Sequence, residues 1–189
     1  KEISHTLKAC IAHGMELKFI TRQEYDQKEA TDFLESINLS YPNFLIIPEG
    51  GYHPLGANGA SLIMDRIPID TTHICCAIGT GGTISGLINS AKAHQKIIGF
   101  PALKGDFLSD DIRKFAKNSN WEVQLDYHFG GYAKINEELI RFINDFYKQT
   151  NIPLDPIYTG KMMFGILDLI NKGYFPKGAK IIAIHTGGL

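Results

Sequence analysis

Continuous apolar runs that alternate with segments of helical periodicity constrain the fold of this 189-residue chain most strongly. The runs at residues 44–47, 72–78 and 179–184 are each followed at once by a glycine-rich segment. Strands buried on both faces of a parallel sheet have this continuous apolar character, whereas strands with one solvated face alternate between apolar and polar residues. The sequence therefore predicts the α/β class, with a three-layer arrangement in which helices cover both faces of a parallel sheet.

The same patterns predict the individual elements. Helices are expected at residues 4–13, 26–38, 83–94, 108–118, 135–149 and 161–171. Strands are expected at residues 16–20, 44–47, 72–78, 96–100, 121–125 and 179–184. In open α/β sheets, ligands bind beyond the carboxyl ends of the strands. The segments just after Ile47, Ile78 and Ile184 are therefore the candidate site.

Composition and charge narrow the function classes. Apolar residues make up 44% of the chain and charged residues 21%, values that are ordinary for a folded globular domain. The formal net charge of −1 gives no electrostatic reason to bind nucleic acid or an anionic membrane, so neither partner is predicted. The longest apolar runs are far shorter than the ~20 residues that a membrane-spanning helix needs.

The three cysteines indicate a reducing compartment. Cys75 and Cys76 are adjacent within an apolar run, and they make a poor disulfide pair because neighbouring strand residues point to opposite faces. With Cys10, the number of cysteines is odd. We therefore expect reduced thiols in a cytoplasmic protein, and no Cys/His spacing indicates a metal site.

The segment Gly79-Thr80-Gly81-Gly82-Thr83 is the strongest local signal, because it lies between a predicted strand and a predicted helix. Glycines let backbone N–H groups approach an anion closely, and a helix N-terminus adds unpaired donors and a favourable dipole. The segment lacks the Gly-Lys-Ser/Thr of a Walker A loop and the third glycine of a dinucleotide fingerprint. It fits a phosphate site, and it fits equally a glycine-rich turn that binds nothing.

Residues 155–161, Asp-Pro-Ile-Tyr-Thr-Gly-Lys, lead into a predicted helix. The ring of Tyr158 is suited either to stacking on a planar ligand or to capping the core, and Thr159 is suited to the N-cap. Lys161 lies at the helix end that disfavours a cation, which hints at a nearby anion, although a solvated surface lysine is the simpler interpretation. Elsewhere, His53 is either an acid/base group or a residue that structures its loop.

Several segments, taken in order, resemble one family. They are Ile-Pro-Glu-Gly-Gly at 47–51, His-Pro-Leu-Gly at 53–56, residues 79–83, Gly131-Tyr132, residues 155–161 and His-Thr-Gly-Gly at 185–188. Together they resemble the pyridoxal-phosphate-dependent 1-aminocyclopropane-1-carboxylate deaminase and D-cysteine desulfhydrase family, which has the tryptophan synthase β-subunit fold (fold type II). The resemblance covers essentially the whole chain. Residues 155–161 and 185–188 are its specific part, whereas the glycine segment is common to the wider fold type.

The resemblance implies a role for each matched position. Residues 79–83 would bind the phosphate of pyridoxal 5'-phosphate. Tyr158 would stack on the pyridine ring and Tyr132 would face the substrate, which makes both candidate catalytic residues, while Thr159 and Thr186 would lie near the pyridine nitrogen. In deaminase-type members those last two positions hold glutamate and leucine, so the threonines resemble the desulfhydrase pattern. The implied reaction is β-elimination from D-cysteine with release of ammonia, and 1-aminocyclopropane-1-carboxylate deamination is the alternative.

The family's Schiff-base lysine and its Ser-Asn segment would lie N-terminal to Lys1. The resemblance therefore implies an incomplete fold, in which residues 1–47 are the remnant of a small domain and residues 48–189 are the large domain that binds the cofactor. Lys161 is the only lysine within a matched motif, and covalent attachment of the cofactor to this chain is not expected. A small amino-acid substrate and a homodimer are the implied partners. The alternatives are an inactive fragment and an unrelated α/β protein that binds a nucleotide phosphate.

Overall fold

The computed structural model describes residues 3–187, and the chain divides into two compact units, Lys1–Ile46 and Ile47–Leu189. The first unit contains the helices α1 (His5–Ala12), α2 (Arg22–Asp26) and α3 (Thr31–Ser40). No residue that is described in this unit is buried. These short helices are therefore stabilised by local interactions rather than by a hydrophobic core within this unit.

Local capping explains where α1 and α2 begin, with Ser4 as the N-cap of α1 and Thr21 as the N-cap of α2. Thr21 and Glu24 form a capping box at α2, in which the Thr21 hydroxyl accepts the N–H of Glu24 and the Glu24 carboxylate accepts the N–H of Thr21.

Two predictions are wrong in this first unit. The helix expected at 26–38 is divided between α2 and α3, and the strand expected at 16–20 is irregular, because the described part of this unit contains no strand with which it can pair.

The second unit contains a four-stranded parallel sheet in the order β3-β2-β1-β4. Its strands are β1 (His73–Ile78), β2 (Lys96–Pro101), β3 (Trp121–Val123) and β4 (Ile181–Ile184). Its helices are α4 (Pro54–Ser61), α5 (Gly82–Ser90), α6 (Phe107–Phe115), α7 (Glu137–Thr150) and α8 (Thr159–Asn171). Four of the predicted helices and four of the predicted strands therefore lie near their expected positions in this unit, with shifted ends, and α1 of the first unit matches the helix predicted at 4–13.

The register places the ends of three strands at one edge of the sheet. Ile78 at the end of β1 is opposite Pro101 at the end of β2, and Cys76 in β1 is opposite Ile184 at the end of β4. All these pairs are parallel. The segments that follow β1, β2 and β4 consequently leave the sheet on the same side.

Each face of the sheet carries its own apolar core. On one face, Ile74 and Ile78 of β1 pack with Leu87 of α5 and Ile112 of α6. On the other face, β2 packs against α8; the buried residues there include Ile98, Phe100, Met162 and Ile166. The predicted three-layer arrangement, with helices on both faces of a parallel sheet, is confirmed.

The two adjacent cysteines lie on opposite faces, as predicted. Cys76 belongs to the core shared with α5, and Cys75 belongs to the core shared with α8. All three cysteines of the chain are unpaired. Burial raises the pKa of the Cys76 thiol to about 12, so this thiol is not a reactive nucleophile near neutral pH.

The apolar run at 44–47 does not form the predicted strand. It is irregular, and Leu45 and Ile47 are 81% and 77% exposed. A strand needs a neighbour for its backbone hydrogen bonds, and no strand within residues 3–187 pairs with this run. Among the same residues, no helix is both long and apolar enough to cross a membrane.

Candidate functional site

A cavity of about 550 Å³ lies at the edge where β1, β2 and β4 end. It is lined by the turn that follows β1, by Leu103 beyond β2 and by Thr186 beyond β4. Two tyrosines, Tyr132 and Tyr158, complete the wall. The volume is within the range of small-molecule sites, and the position agrees with the rule that placed the candidate site beyond the strand ends.

Most of the residues that were singled out in the sequence meet at this cavity. Those that line it are Gly79, Thr80, Gly81, Gly82, Thr83, Tyr132, Tyr158 and Thr186. They come from segments that are far apart in the chain, so the parallel register of the strands is what brings them together.

The glycine turn presents the N-terminus of α5 to the cavity. Gly81 precedes the helix with φ of 94°, a left-handed conformation that glycine adopts without strain. The hydrogen bond from the N–H of Ser85 to the carbonyl of Gly81 starts the helix. The N–H groups of the first turn have no acceptor within a helix, and together with the helix dipole they favour an anion.

Tyr158 is the aromatic wall of the site and lies against the glycine turn. A Cβ atom placed on Gly79 would be 3.3 Å from Cε1 of the Tyr158 ring. Glycine at this position therefore leaves room for the ring. Burial, together with hydrogen bonding to Tyr132, raises the pKa of Tyr158 to about 12, so the phenol is protonated at neutral pH.

Asp155 fixes the backbone that carries Tyr158. Its carboxylate accepts the N–H groups of Ile157, Tyr158 and Thr159 at 2.7–2.9 Å. Burial alone would raise the pKa of Asp155, but the hydrogen bonds from Thr159, Tyr158 and Ile157 outweigh it and lower the pKa below its ordinary value. The charged carboxylate thereby holds the entry to α8 in one conformation.

Thr159, which the resemblance places near the pyridine nitrogen, is bonded within the turn that begins α8. It is completely buried and is not among the residues that line the cavity. Its hydroxyl donates to Asp155 Oδ2 at 2.6 Å and accepts the N–H of Asp155 at 2.9 Å. The proton of this hydroxyl and one of its two lone pairs are thus used within the turn, and Thr186 is the threonine that lines the cavity.

Lys161 is not the solvated surface lysine that the sequence favoured. Its side chain is buried, with 1% of the residue exposed. The ammonium donates to the carbonyl oxygens of His128 and Gly131, at 2.8 Å in each case. The acceptors of its hydrogen bonds are therefore backbone carbonyls. Burial lowers the pKa of Lys161, and the negative charge of Asp155 opposes that shift, so Asp155 is a nearby anion of the kind that the helix dipole suggested.

Two histidines of the matched segments have structural roles. His53 Nδ1 accepts the N–H of Leu55 at 3.2 Å and so caps α4. His185 Nε2 lies 2.7 Å from the carbonyl oxygen of Pro153. Neither residue lines the cavity, and the last glycine of the His185 segment, Gly188, lies outside the described residues. Within residues 3–187, no cluster of three or more His, Cys, Asp or Glu side chains could hold a metal ion.

The cavity also includes residues that were not predicted for it. Glu49 and Gly50 lie in the segment just after Ile47, which the strand-end rule predicts as part of the site without singling out these two residues, and Leu103 follows β2. The rule about strand ends would have found Leu103 if it had been applied to β2, whose apolar run at 96–100 was recognised.

The sequence of the chain is similar to those of known proteins. A putative 1-aminocyclopropane-1-carboxylate deaminase of Pyrococcus furiosus is 34% identical over 165 residues, which cover 76% of this chain and 50% of that protein. A mitochondrial bifunctional D-cysteine desulfhydrase/1-aminocyclopropane-1-carboxylate deaminase of Arabidopsis thaliana is 28% identical over 205 residues, covering 93% of this chain and 50% of that protein. The chain spans about half the length of these curated relatives.

A solved structure gives the same result for the fold. The crystal structure of a 1-aminocyclopropane-1-carboxylate deaminase homologue matches with a TM-score of 0.82 at 26% identity, covering 100% of this chain and 63% of that one. The resemblance and the fold inferred from the sequence are confirmed. A family model described as pyridoxal-phosphate dependent enzyme matches residues 3–187, and the chain belongs to this family of pyridoxal-phosphate-dependent enzymes.

Proposed function

We propose that the complete protein is a pyridoxal-phosphate-dependent lyase that releases ammonia from a small amino acid, and that the cavity at the carboxyl edge of the sheet is its cofactor site. The observation that carries the proposal is the convergence of the 79–83 turn, two tyrosines and Thr186 on one cavity. Each of these features matches one chemical group of the cofactor.

The residues fit pyridoxal phosphate group by group. The N–H groups at the start of α5 suit a phosphate dianion. The ring of Tyr158 offers a flat apolar surface for a pyridine ring, and glycine at position 79 leaves the space beside that ring open. Thr186 adds a hydroxyl that can donate to a pyridine nitrogen or accept from it.

The hydroxyl of Thr186 favours one reaction over the other. When bound, pyridoxal phosphate supplies an electron sink for negative charge at the α-carbon of an amino acid. A neutral hydroxyl beside the pyridine nitrogen stabilises that charge less than a carboxylate would. The weaker sink suffices to eliminate a good leaving group such as a thiolate, whereas opening a cyclopropane ring demands more. We therefore propose D-cysteine desulfhydrase-like β-elimination, with release of sulfide and ammonia.

The two tyrosines have different parts in this proposal. Because the pKa of Tyr158 is about 12, its Oη holds a proton at neutral pH and can donate a hydrogen bond but cannot act as a base. Tyr132 is 54% exposed at the rim of the cavity. Its phenol is therefore open to an entering substrate.

Deamination of 1-aminocyclopropane-1-carboxylate is the second candidate, and the name of the Pyrococcus relative favours it, whereas the Arabidopsis relative is named for both activities. The complete protein, loaded with pyridoxal phosphate, is assayed with D-cysteine and with 1-aminocyclopropane-1-carboxylate. Sulfide and ammonia from D-cysteine support the first candidate, and ring opening without sulfide release supports the second. Tyr158→Ala protein with the same amount of cofactor controls for elimination by the free cofactor.

An amine for covalent attachment is not among the cavity residues described here. No lysine within residues 3–187 lines the cavity, and Lys161 directs its ammonium to two carbonyls instead. We therefore propose that this chain contributes the phosphate cradle and the aromatic wall but not the attachment. Borohydride reduction followed by peptide mapping tests this, since a stoichiometric adduct on a lysine of this sequence would refute it.

The proposal extends to the organisation of the protein. Residues 48–189 are the large domain that binds the cofactor, and residues 1–47 belong to a small domain; the division into Lys1–Ile46 and Ile47–Leu189 supports this boundary.

We also propose a homodimer, which sedimentation of the complete protein tests. A cytoplasmic location is supported by three unpaired cysteines, and fractionation of cells tests it.

A further inference from the structure

The turn that carries Tyr132, residues 128–133, has an unusual backbone. φ is positive at Phe129 (53°), Gly130 (96°), Gly131 (121°) and Ala133 (55°). The two glycines adopt these values readily, but Phe129 and Ala133 are strained by them. Strained backbone persists only where surrounding contacts hold it, and it is concentrated at functional sites. The Tyr132 turn therefore needs an anchor outside its own residues.

Lys161 supplies that anchor from the first turn of α8. Its ammonium donates to the carbonyl oxygens of His128 and Gly131, 2.8 Å away in each case. These carbonyls lie on either side of the strained Phe129 and its neighbour Gly130, and the second carbonyl immediately precedes Tyr132. Hydrogen bonds from a charged donor are stronger than those between neutral groups, and with 1% of the residue exposed this donor is shielded from water.

Contacts around Lys161 join the same two elements. The turn is anchored to α8 again by Phe129, whose ring meets that of Phe164 at 5.0 Å between centroids and 82° between planes. Lys161 and Phe164 are three residues apart, so they share one face of the helix. Tyr158, which the Tyr132 ring meets at 6.2 Å, directly precedes α8. One short stretch of chain thus carries the aromatic wall and also holds the turn opposite it.

We propose that Lys161 is a positioning residue that holds the Tyr132 turn in its strained conformation and so sets the Tyr132 phenol against Tyr158 at the rim of the cavity. The consequence for catalysis rests on the proposed function of the cavity, whereas the anchoring itself does not. Lys161 touches neither ligand nor substrate in this role, and its effect on the reaction passes entirely through Tyr132.

Amide hydrogen exchange of the complete protein without cofactor tests the anchoring. Lys161→Met keeps the length of the side chain and removes the donors, and Lys161→Gln keeps an amide donor. Ile74→Ala, a truncation in the core on the other face of the sheet, controls for general loss of stability. We expect exchange in residues 128–133 to rise about tenfold or more in Lys161→Met, beyond any change elsewhere in the chain, and to rise less in Lys161→Gln.

If the exchange rate of residues 128–133 rises no more in Lys161→Met than in the Ile74→Ala control, Lys161 does not anchor the turn. If Lys161→Met does not fold, Lys161→Gln carries the same comparison. Because this measurement uses neither cofactor nor substrate, its result is independent of which reaction the enzyme performs.

A double-mutant cycle on the loaded enzyme tests the route through Tyr132. Lys161→Met is expected to lower kcat about tenfold or more, while the Kd for pyridoxal phosphate changes less than about threefold, since the phosphate cradle lies on α5. In a Tyr132→Ala background, Lys161→Met is expected to lower kcat no further. Losses that multiply in the double variant, or a Kd for pyridoxal phosphate that rises in proportion as kcat falls, would mean that Lys161 acts elsewhere.

Discussion

The rings of Tyr132 and Tyr158 meet edge to face, with their centroids 6.2 Å apart and their planes at 65°. Such a geometry is favourable for an aromatic pair. One ring is carried by a strained turn before α7, and the other by the residue before α8. Both rings line the cavity into which the glycine turn points the N-terminus of α5. The site is therefore defined by two independent walls, one for an anion and one for a flat ring.

The aromatic wall should contribute to cofactor affinity through its ring rather than its hydroxyl. Tyr158→Ala removes the stacking surface, and stacking of a heterocycle on an aromatic side chain is worth about 1–3 kcal/mol. The Kd for pyridoxal phosphate should rise about tenfold to a hundredfold in Tyr158→Ala and change little in Tyr158→Phe. Fluorescence titration measures both values. Equal losses in the two variants would show that the hydroxyl is the important group.

The glycine turn should not tolerate a side chain at position 81. Alanine there would have φ of 94° and a Cβ 3.3 Å from Ile112 Cγ1. The left-handed conformation alone costs about 1–2 kcal/mol for an L-residue. We expect Gly81→Ala to lower the free energy of unfolding in urea by at least that amount and to weaken binding of pyridoxal phosphate.

Gly59→Ala is the matched control for that substitution. Gly59 lies within α4, has no positive φ and has no atom within 4 Å of a built Cβ. Alanine there should raise the free energy of unfolding by about 0.5–1 kcal/mol because of its greater helix propensity. If both glycine variants lost the same stability, the specific role assigned to Gly81 would be wrong.

Asp155 should make the protein sensitive to acid. Its pKa is lowered from the ordinary value of 3.8, so the carboxylate stabilises the fold at neutral pH, and this contribution is lost as the pH falls through the folded-state pKa. Asp155→Asn should cost about 2 kcal/mol or more at neutral pH, since it weakens several charge-assisted hydrogen bonds. It should also flatten the dependence of unfolding free energy on pH below about pH 4.

Urea unfolding as a function of pH measures this contribution. Asp145→Asn is the control, because Asp145 is exposed and pairs with the equally exposed Lys148; its effect should stay within about 0.5 kcal/mol. Identical acid profiles for Asp155→Asn and the unsubstituted protein would contradict the role of Asp155.

The phenol of Tyr158 should lose its proton at a higher pH than an ordinary tyrosine does. Its pKa is raised to about 12 by burial and by hydrogen bonding to Tyr132. The neutral phenol therefore stabilises the fold fully below about pH 10, the ordinary tyrosine pKa, and this contribution is lost as the pH rises through about 12. Phenolate absorbance should show a late-titrating tyrosine that disappears in Tyr158→Phe. A spectrum in which that substitution removes a tyrosine of ordinary pKa would contradict the burial of its ring.

The parts of the fold that were predicted correctly are those in which local pattern and tertiary environment agree. The apolar run of β1 lies between two neighbouring strands, and the turn after it leads into α5. The buried strand that its apolar sequence predicts is therefore the one that the sheet contains. The run at 44–47 has the same local character, but pairing depends on a neighbouring strand, which the described chain does not provide.

The details of the site that were missed depend on tertiary partners. The direction of the Thr159 hydroxyl is decided by the carboxylate of Asp155, four residues earlier. The burial of Lys161 is decided by two carbonyls of a turn about thirty residues away in the chain. Nothing in the local composition around Lys161 distinguishes a buried ammonium from a solvated one, because the compensating acceptors are backbone groups.

The central claim is that the cavity binds a phosphorylated pyridine at the N-terminus of α5. The most direct test is a parallel titration of the complete protein with pyridoxal phosphate and with pyridoxal, which lacks the phosphate. Several charge-assisted hydrogen bonds, each worth about 1.5–3 kcal/mol, distinguish the two ligands. The account predicts that pyridoxal phosphate binds about a hundredfold tighter or more, and that Gly81→Ala removes most of the difference. Equal affinity for the two ligands would contradict it.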